Sequence, residues 1–281
     1  MRYVVLGASA AGVNGVRQLR KHCPEAEIVL VSKDDAVYSR CILHHYLGGI
    51  RTKEELCFAE SDFETKYRVD WRKGVVCSAR SGRQQKRWFC PTEHELSYDR
   101  LLIATGSHTF LPPVEGLREA KGVFGFHNLD EVEQIRNEAA KAEHIVVMGG
   151  GLVGIDAAVG FLHSGRRVTL VEMEDHILAK QLDRRSAKTY EEAMEKEGIQ
   201  FYLGRGVKEV RMGDGGEVTS LLLTDGTEIP CDMVVVTAGV RPNVEFLKDT
   251  GVEMDRFGLV IDHHGKTSVP DIYGAGDVTG R

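Results

Sequence analysis

The sequence predicts an α/β fold made of two strand–loop–helix domains, one inserted in the other. Two observations carry that expectation. The glycine-rich loop Gly7-Ala8-Ser9-Ala10-Ala11-Gly12 stands between the apolar run Tyr3-Val4-Val5-Leu6 and a helical pattern from about Ala10 to Lys21. A second loop, Gly149-Gly150-Gly151-Leu152-Val153-Gly154, stands between Ile145-Val146-Val147-Met148 and a helical pattern from Leu152 to His163. The intervening apolar runs are those of strands buried on both faces of a parallel sheet.

The elements follow in order. Ile28-Val29-Leu30-Val31 completes a βαβ unit with the first loop, and Leu101-Leu102-Ile103-Ala104 is a strand that ends at Thr105-Gly106. Leu111-Pro112-Pro113 breaks regular structure, because a residue before proline is held extended. The pattern then restarts at Ile145, with Val168-Thr169-Leu170-Val171 as the next strand. Asp183 to Glu197 reads as a helix stopped by Gly198. Val207–Met212 and Val218–Leu223, split by Gly213-Asp214-Gly215-Gly216, read as a hairpin, and Met233-Val234-Val235-Val236 as another buried strand. Arg241-Pro242-Asn243 marks a second crossing, and Leu259-Val260-Ile261 with the turn into Gly274 a return to the first domain. The expected boundaries are 1–112 plus 241–281 for one domain and 113–240 for the other.

Each loop has the chemistry of a diphosphate cradle. Gly7 permits the tight turn and Gly12 the close packing of helix on strand; Ser9 occupies the position where a glycine lets the backbone approach the phosphates. The helix start, with Ala10 and Ala11, offers unpaired N–H groups and a positive dipole end. The acid expected at the end of the second strand, to take the ribose hydroxyls, is replaced by Ser32, which could still bond ribose more weakly, with Lys33 and Asp34 beside it; Asp34 is the substitute acid. The second loop matches at Gly149, Gly151 and Gly154, followed by Leu152 and Val153. Glu172 ends its strand, where a carboxylate accepts from the ribose 2′-hydroxyl and repels a 2′-phosphate. Met173-Glu174-Asp175 brings no cation, so NADH is favoured over NADPH. Two such loops imply two dinucleotides, and a hydride passing from a nicotinamide to a flavin.

Bulk properties narrow the class. The 281 residues are 42% hydrophobic and 28% charged, which suits a globular protein of about two domains. A net charge of −6 argues against general nucleic-acid binding. Arg80, Arg83, Lys86 and Arg87 cluster, as at a solvated hairpin tip. The expectation is a cytoplasmic protein, with neither a signal peptide nor an apolar run able to cross a bilayer. The six cysteines, Cys23, Cys41, Cys57, Cys77, Cys90 and Cys231, form no Cys-x-x-Cys pair, so no disulfide framework or metal site is expected.

Gly7–Gly12, Ala104-Thr105-Gly106, Gly149–Gly154, Thr237-Ala238-Gly239-Val240-Arg241-Pro242-Asn243 and Gly274-Ala275-Gly276-Asp277 occur in that order. Together they resemble the FAD-dependent pyridine nucleotide–disulfide oxidoreductase family, over essentially the whole chain. The resemblance implies two Rossmann-like FAD/NAD(P)-binding domains. In them the first loop takes the ADP part of FAD, Asp277 after Gly276 bonds the ribitol chain, and Ala104-Thr105-Gly106 pack near FAD. The inserted domain, with Gly239 at its exit, binds NADH. Asp156 occupies the position of a family glutamate near the nicotinamide, although an acid near a helix start is also explained by the dipole. The family's C-terminal dimerisation domain is expected to be absent, which leaves dimerisation open.

The dithiol branches use a cysteine pair that this sequence lacks. Tyr38-Ser39-Arg40 with Leu43 resembles the Tyr-x-Arg-Pro-x-Leu stretch of rubredoxin reductases and of the flavin part of NADH nitrite reductases, where Arg40 would contact FAD. Cys41 replaces the proline, and His45 a lysine. Tyr38 through Gly48 also fits the single-cysteine pattern of coenzyme A disulfide reductases, NADH oxidases and NADH peroxidases, in which Cys41 would be catalytic. Against that stands Cys41 as a small buried thiol. Ala10 takes the position of the histidine found in the peroxidases and oxidases. His44 and His45 are expected at the surface or as satisfied core residues. The acceptor implied is a small redox protein or partner subunit, alternatively a low-molecular-weight disulfide; a nucleotide-binding subunit without turnover is the third reading.

Overall fold

The computed structural model describes residues 1–76, 87–90, 93–162 and 165–280; side chains of 87–90 and 93–95 are not described. Residues 80–86 of the basic cluster, and His163 at the end of the second helical pattern, lie outside the described residues.

Along the chain the elements that build the sites are β1 (Arg2–Leu6), α1 (Ala10–His22), β2 (Glu27–Val31), α2 (Leu43–Leu47), β3 (Val69–Arg72), β4 (Arg100–Ile103), β5 (Val123–Gly125) and α3 (Leu129–Ala139). These are followed by β6 (His144–Met148), α4 (Leu152–Leu162), β7 (Arg167–Val171), α5 (Arg184–Lys196), β8 (Gln200–Tyr202), β9 (Val207–Met212), β10 (Val218–Leu223), β11 (Glu228–Pro230), β12 (Met233–Val236) and β13 (Ile272–Gly274). The chain divides into two compact units. The first comprises Met1–Ser39, Cys57–His108 and Arg241–Arg281; the second comprises Arg40–Leu56 and Thr109–Val240. The segment 40–56 thus belongs with the second unit, an excursion that none of the motifs signals.

In the first unit five strands run in parallel, in the order β13-β4-β1-β2-β3. Alternate residues face opposite sides of the sheet. Val4, Leu6, Val29, Val31, Leu101 and Ile103 join one core cluster. Val5, Ile28 and Leu30 join another, with Val13 and Val16 of α1. The apolar runs of the sequence are the consequence of burial on both faces.

The second unit repeats the plan, with parallel strands in the order β8-β7-β6-β12-β5. The central strand β6 is buried at every residue. On one face Val146, Met148, Val234 and Val236 pack against Val207, Val210, Leu221 and Leu223 of the antiparallel layer β9-β10-β11. On α4, Ala157, Ala158, Gly160 and Phe161 are buried. At the far end of β6, His144 is buried between Thr169 Oγ1, 2.8 Å from its Nε2, and the Pro230 carbonyl, and burial pushes its imidazole down.

α2 contacts both α4 and α3. Leu43 and Leu47 are buried, and a side chain at Gly160 would meet Leu47 and the His44 carbonyl, so glycine there lets the two helices close. Tyr46 lies under the Arg136 guanidinium at 4.1 Å, and Lys53 pairs with Glu133 at 2.8 Å. α3 itself is started by a capping box in which Asn128 accepts from Glu131 N and Glu131 accepts from Asn128 N. Among the described residues no helix is long and apolar enough to cross a membrane.

Candidate functional site

Both units carry their glycine loop directly after the strand where the order of the sheet reverses: β1 lies between β2 and β4, and β6 between β7 and β12. Such a switch point opens a crevice at the carboxyl ends of the strands, where open α/β sheets bind ligands.

In the first unit Gly7 has φ +106°, and a Cβ there would fall 2.1 Å from the Ala104 carbonyl oxygen. A Cβ on Gly12 would fall 1.8 Å from the Gly7 carbonyl oxygen. Both contacts are with backbone, so only glycine fits. Ser9 is the N-cap of α1, extended and without a capping bond from its side chain, and no acid stands in the first turn. The N–H groups of Ala10, Ala11 and Gly12, which no helix start pairs internally, are left to an anion.

The Ala104-Thr105-Gly106 turn is clasped by Asn243. Asn243 Nδ2 donates to the Thr105 carbonyl at 2.9 Å, Thr105 Oγ1 donates to the Asn243 carbonyl at 3.0 Å, and Asn243 N donates to the Gly106 carbonyl at 2.9 Å. The motif alone gives Asn243 no role; its three bonds to this turn supply one. Gly276, at φ +79°, brings its backbone against Ala11, and Asp277 follows it, exposed, accepting from Ser107 Oγ at 3.2 Å. Ala11, Gly276 and Asp277 are thus adjacent. Ser32 is another matter. It is buried, its hydroxyl donates to the Asp34 carbonyl at 2.5 Å and it accepts from Trp71 Nε1 at 2.8 Å. Its hydroxyl braces the end of β2 and keeps one lone pair able to accept from a ribose. Lys33 is exposed and Asp34 half-buried.

In the second unit the geometry recurs. Gly149 has φ +123° and packs on Thr237, whose Oγ1 lies 3.1 Å from the Met148 and Gly149 carbonyl oxygens. A Cβ on Gly154 would fall 1.9 Å from the Gly149 carbonyl oxygen. By contrast, a Cβ on Gly151 meets nothing within 4 Å, so this glycine borders open space over the loop. α4 also has no acid in its first turn. Glu172, half-buried at the end of β7, accepts from Gly150 N at 2.5 Å and from Glu174 N at 2.8 Å, so its carboxylate is fixed beside the loop with a lone pair free on each oxygen. Leu152, Val153 and Met173 are 58%, 45% and 75% exposed, an apolar fringe on which flat rings can lie. The nearby cation Arg184 is held by Asp175 at 2.7 Å. Gly239, at φ +118°, accepts from Phe110 N.

Arg40 and Cys41 belong to the second unit, and Cys41 is exposed, so the buried-thiol expectation fails. His44 Nδ1 lies 3.5 Å from Asp156 Oδ2, and His45 Nδ1 is buried without a partner among the described residues, so His45 is not satisfied as expected. The sequence hinted at neither contact, because α2 has only five residues and shows no helical period.

Each loop can therefore hold an anionic diphosphate on backbone N–H groups, and the second has a carboxylate fixed beside it. The match to known proteins is decisive on ancestry: the model of the pyridine nucleotide-disulphide oxidoreductase family matches residues 1–281. The chain belongs to that family. Among its relatives in the family, an NADH oxidase of Enterococcus faecalis is 30% identical over 287 residues, covering 99% of this chain and 63% of that protein. A rubredoxin-NAD(+) reductase of Alcanivorax borkumensis is 31% identical over 277 residues, covering 98% of this chain and 71% of that protein. The structure of an NAD-dependent persulfide reductase from A. fulgidus superposes with a TM-score of 0.90 at 29% identity, covering 99% of this chain and 53% of the other. The chain spans just under two thirds of the NADH oxidases it matches, 63% in each case.

Proposed function

We propose that this chain is the nucleotide-binding portion of an FAD-dependent NADH oxidoreductase that passes electrons from NADH, via FAD, to a redox protein or partner subunit. The observation that carries the reading is the pair of glycine loops, each at a switch point and each closed by backbone contacts that only glycine allows. Bound FAD would accept the hydride of NADH together with a proton and hand the electrons on. Everything else falls to the chain's own residues. Gly7 to Gly12 would receive the FAD diphosphate, with Asp277 accepting from its ribitol hydroxyls. Gly149 to Gly154 would receive the NADH diphosphate, and Glu172 would accept from the adenosine ribose and reject a 2′-phosphate. The relatives supporting this reading include a rubredoxin-NAD(+) reductase and a nitrite reductase large subunit.

The exposure of Cys41 favours a second reading, in which its thiolate would attack a low-molecular-weight disulfide, releasing one thiol and forming a mixed disulfide that the electron pair from NADH would then cleave. Cys41→Ser separates the two. On the first reading the variant reduces a dye or redox protein within about twofold of the parent, and the parent leaves coenzyme A disulfide untouched, since a thiolate is needed only for disulfide exchange. Disulfide reduction by the parent that disappears in Cys41→Ser would decide for the second reading.

A further inference from the structure

The second glycine loop has three glycines in a row, Gly149-Gly150-Gly151, where the first has Ala8 and Ser9 after Gly7. Glycine leaves a peptide unit free to turn over, so such a run needs outside contacts to hold one orientation. The fold supplies them. Gly150 N donates to Glu172 Oε2, and Thr237 Oγ1 lies 3.1 Å from the Gly149 carbonyl oxygen, so the 149–150 peptide is held at both of its polar atoms. The Gly150 carbonyl belongs to the next peptide, and it accepts from Leu178 N at 2.8 Å. In a trans peptide the N–H points opposite to the C=O. The bond from Leu178 therefore turns the Gly151 N–H away from the 175–182 loop, and Gly151 is the glycine that borders open space.

Leu178 makes that bond from an uncommon conformation. Its φ is +54°, in the left-handed region that a bulky apolar residue seldom enters. Outliers of this kind persist only where surrounding contacts over-determine them. Here the contacts come from both sides. Ile177 N donates to Glu191 Oε1 of α5 at 3.1 Å, and the Ile177 side chain is fully buried. The Leu178 carbonyl accepts from Gln181 N and Leu182 N at 2.8 and 2.9 Å. The His176 ring lies between Asp175 Oδ1 at 2.5 Å and the Leu182 carbonyl at 3.1 Å, which closes the turn.

We propose that Leu178, set in its left-handed turn by Glu191, is a positioning residue for the NADH diphosphate. Pinning the Gly150 carbonyl keeps the negative end of that dipole off the diphosphate and leaves the Gly151 N–H facing it. Both residues act through the Gly150–Gly151 peptide, and not through a contact of their own side chains with the ligand. The inference rests on reading the 149–154 loop as the NADH site.

Calorimetric titration of the full chain with ADP-ribose, which carries the diphosphate and no nicotinamide, tests this. Leu178→Gly takes a positive φ without strain and keeps the N–H, whereas Leu178→Val keeps more of the apolar bulk but resists that conformation. ADP-ribose affinity is expected to stay within about twofold in Leu178→Gly and to fall about tenfold in Leu178→Val, the effect of losing one hydrogen bond to a charged group. Buried volume alone gives the opposite order, and that order overturns the proposal. Glu191→Ala should weaken ADP-ribose about tenfold, and Glu191→Gln, which keeps an oxygen acceptor, should restore it. Adenosine, which lacks the diphosphate, should bind all four variants as it binds the parent. A loss with adenosine equal to that with ADP-ribose, or equal ADP-ribose affinity in Leu178→Gly and Leu178→Val, also overturns the proposal. Failure of the folded parent to bind ADP-ribose overturns the loop reading and the proposal with it.

Discussion

Alanine at Gly154 is expected to abolish NADH binding, and alanine at Gly12 to abolish FAD binding. The two substitutions meet the same obstacle in different units. Their Cβ atoms would fall 1.9 Å from the Gly149 oxygen and 1.8 Å from the Gly7 oxygen, atoms of backbone that no rotamer change can move. The loop must open, at a cost of about 1–3 kcal/mol or more, and the N–H groups that converge on a diphosphate lose their register. Each variant should weaken its own cofactor more than about hundredfold, the effect of losing several charge-assisted hydrogen bonds together. Gly151→Ala is the informative control. Its Cβ meets no protein atom, so it should leave the melting temperature where it was and still impair NADH binding, by occupying the space over the loop. FAD content, NADH titration and thermal melting of the three variants check the pattern. A Gly154→Ala chain that binds NADH normally would remove the loop from the site.

Glu172→Ala should lower NADH affinity about tenfold to hundredfold, since hydrogen bonds to a charged group contribute about 1.5–3 kcal/mol. Two effects add. The carboxylate braces the loop through Gly150 N and Glu174 N, and on the proposed reading it also accepts from the ribose. Removing its charge should also narrow the discrimination against NADPH. Preference should not reverse, because Arg184 is held by Asp175 and Arg205, whose N–H bonds the Glu172 carbonyl, is held by Asp225. Parallel Kd measurements for NADH and NADPH on parent and variant decide this. An unchanged ratio would mean that Glu172 does not face the 2′ position.

The parts of the fold legible in the sequence are those whose pattern is set by burial. β1, β2, β4, β6, β7 and β12 are apolar because both sheet faces are covered, and the glycines of both loops are fixed by backbone contacts. The two units are built on the same reversal of strand order. α3 was legible in principle, since Asn128 and Glu131 spell a capping box ahead of the buried Leu129, Val132 and Ile135. The segment 40–56 was not. Two buried leucines in a five-residue helix carry no period, and the glycine that admits them, Gly160, reads from sequence as one more small residue in an apolar helix. Ser32 marks a further limit. The spacing located the end of β2 correctly, but only the bonds to Asp34 and Trp71 reveal that the hydroxyl is engaged in holding that end together. Likewise His44 and Asp156 are far apart in sequence and meet only through helix packing.

The central claim is that one chain holds both an FAD and an NADH site and that electrons pass between their occupants. An anaerobic visible spectrum of the purified chain, supplemented with FAD and then titrated with NADH and separately with NADPH, tests it most directly. The account predicts a flavin spectrum that stays with the protein on gel filtration, bleaches with NADH and bleaches far less with NADPH. A chain that remains colourless in excess FAD, or a flavin spectrum that NADH leaves unbleached, would contradict it and leave a nucleotide-binding subunit without turnover.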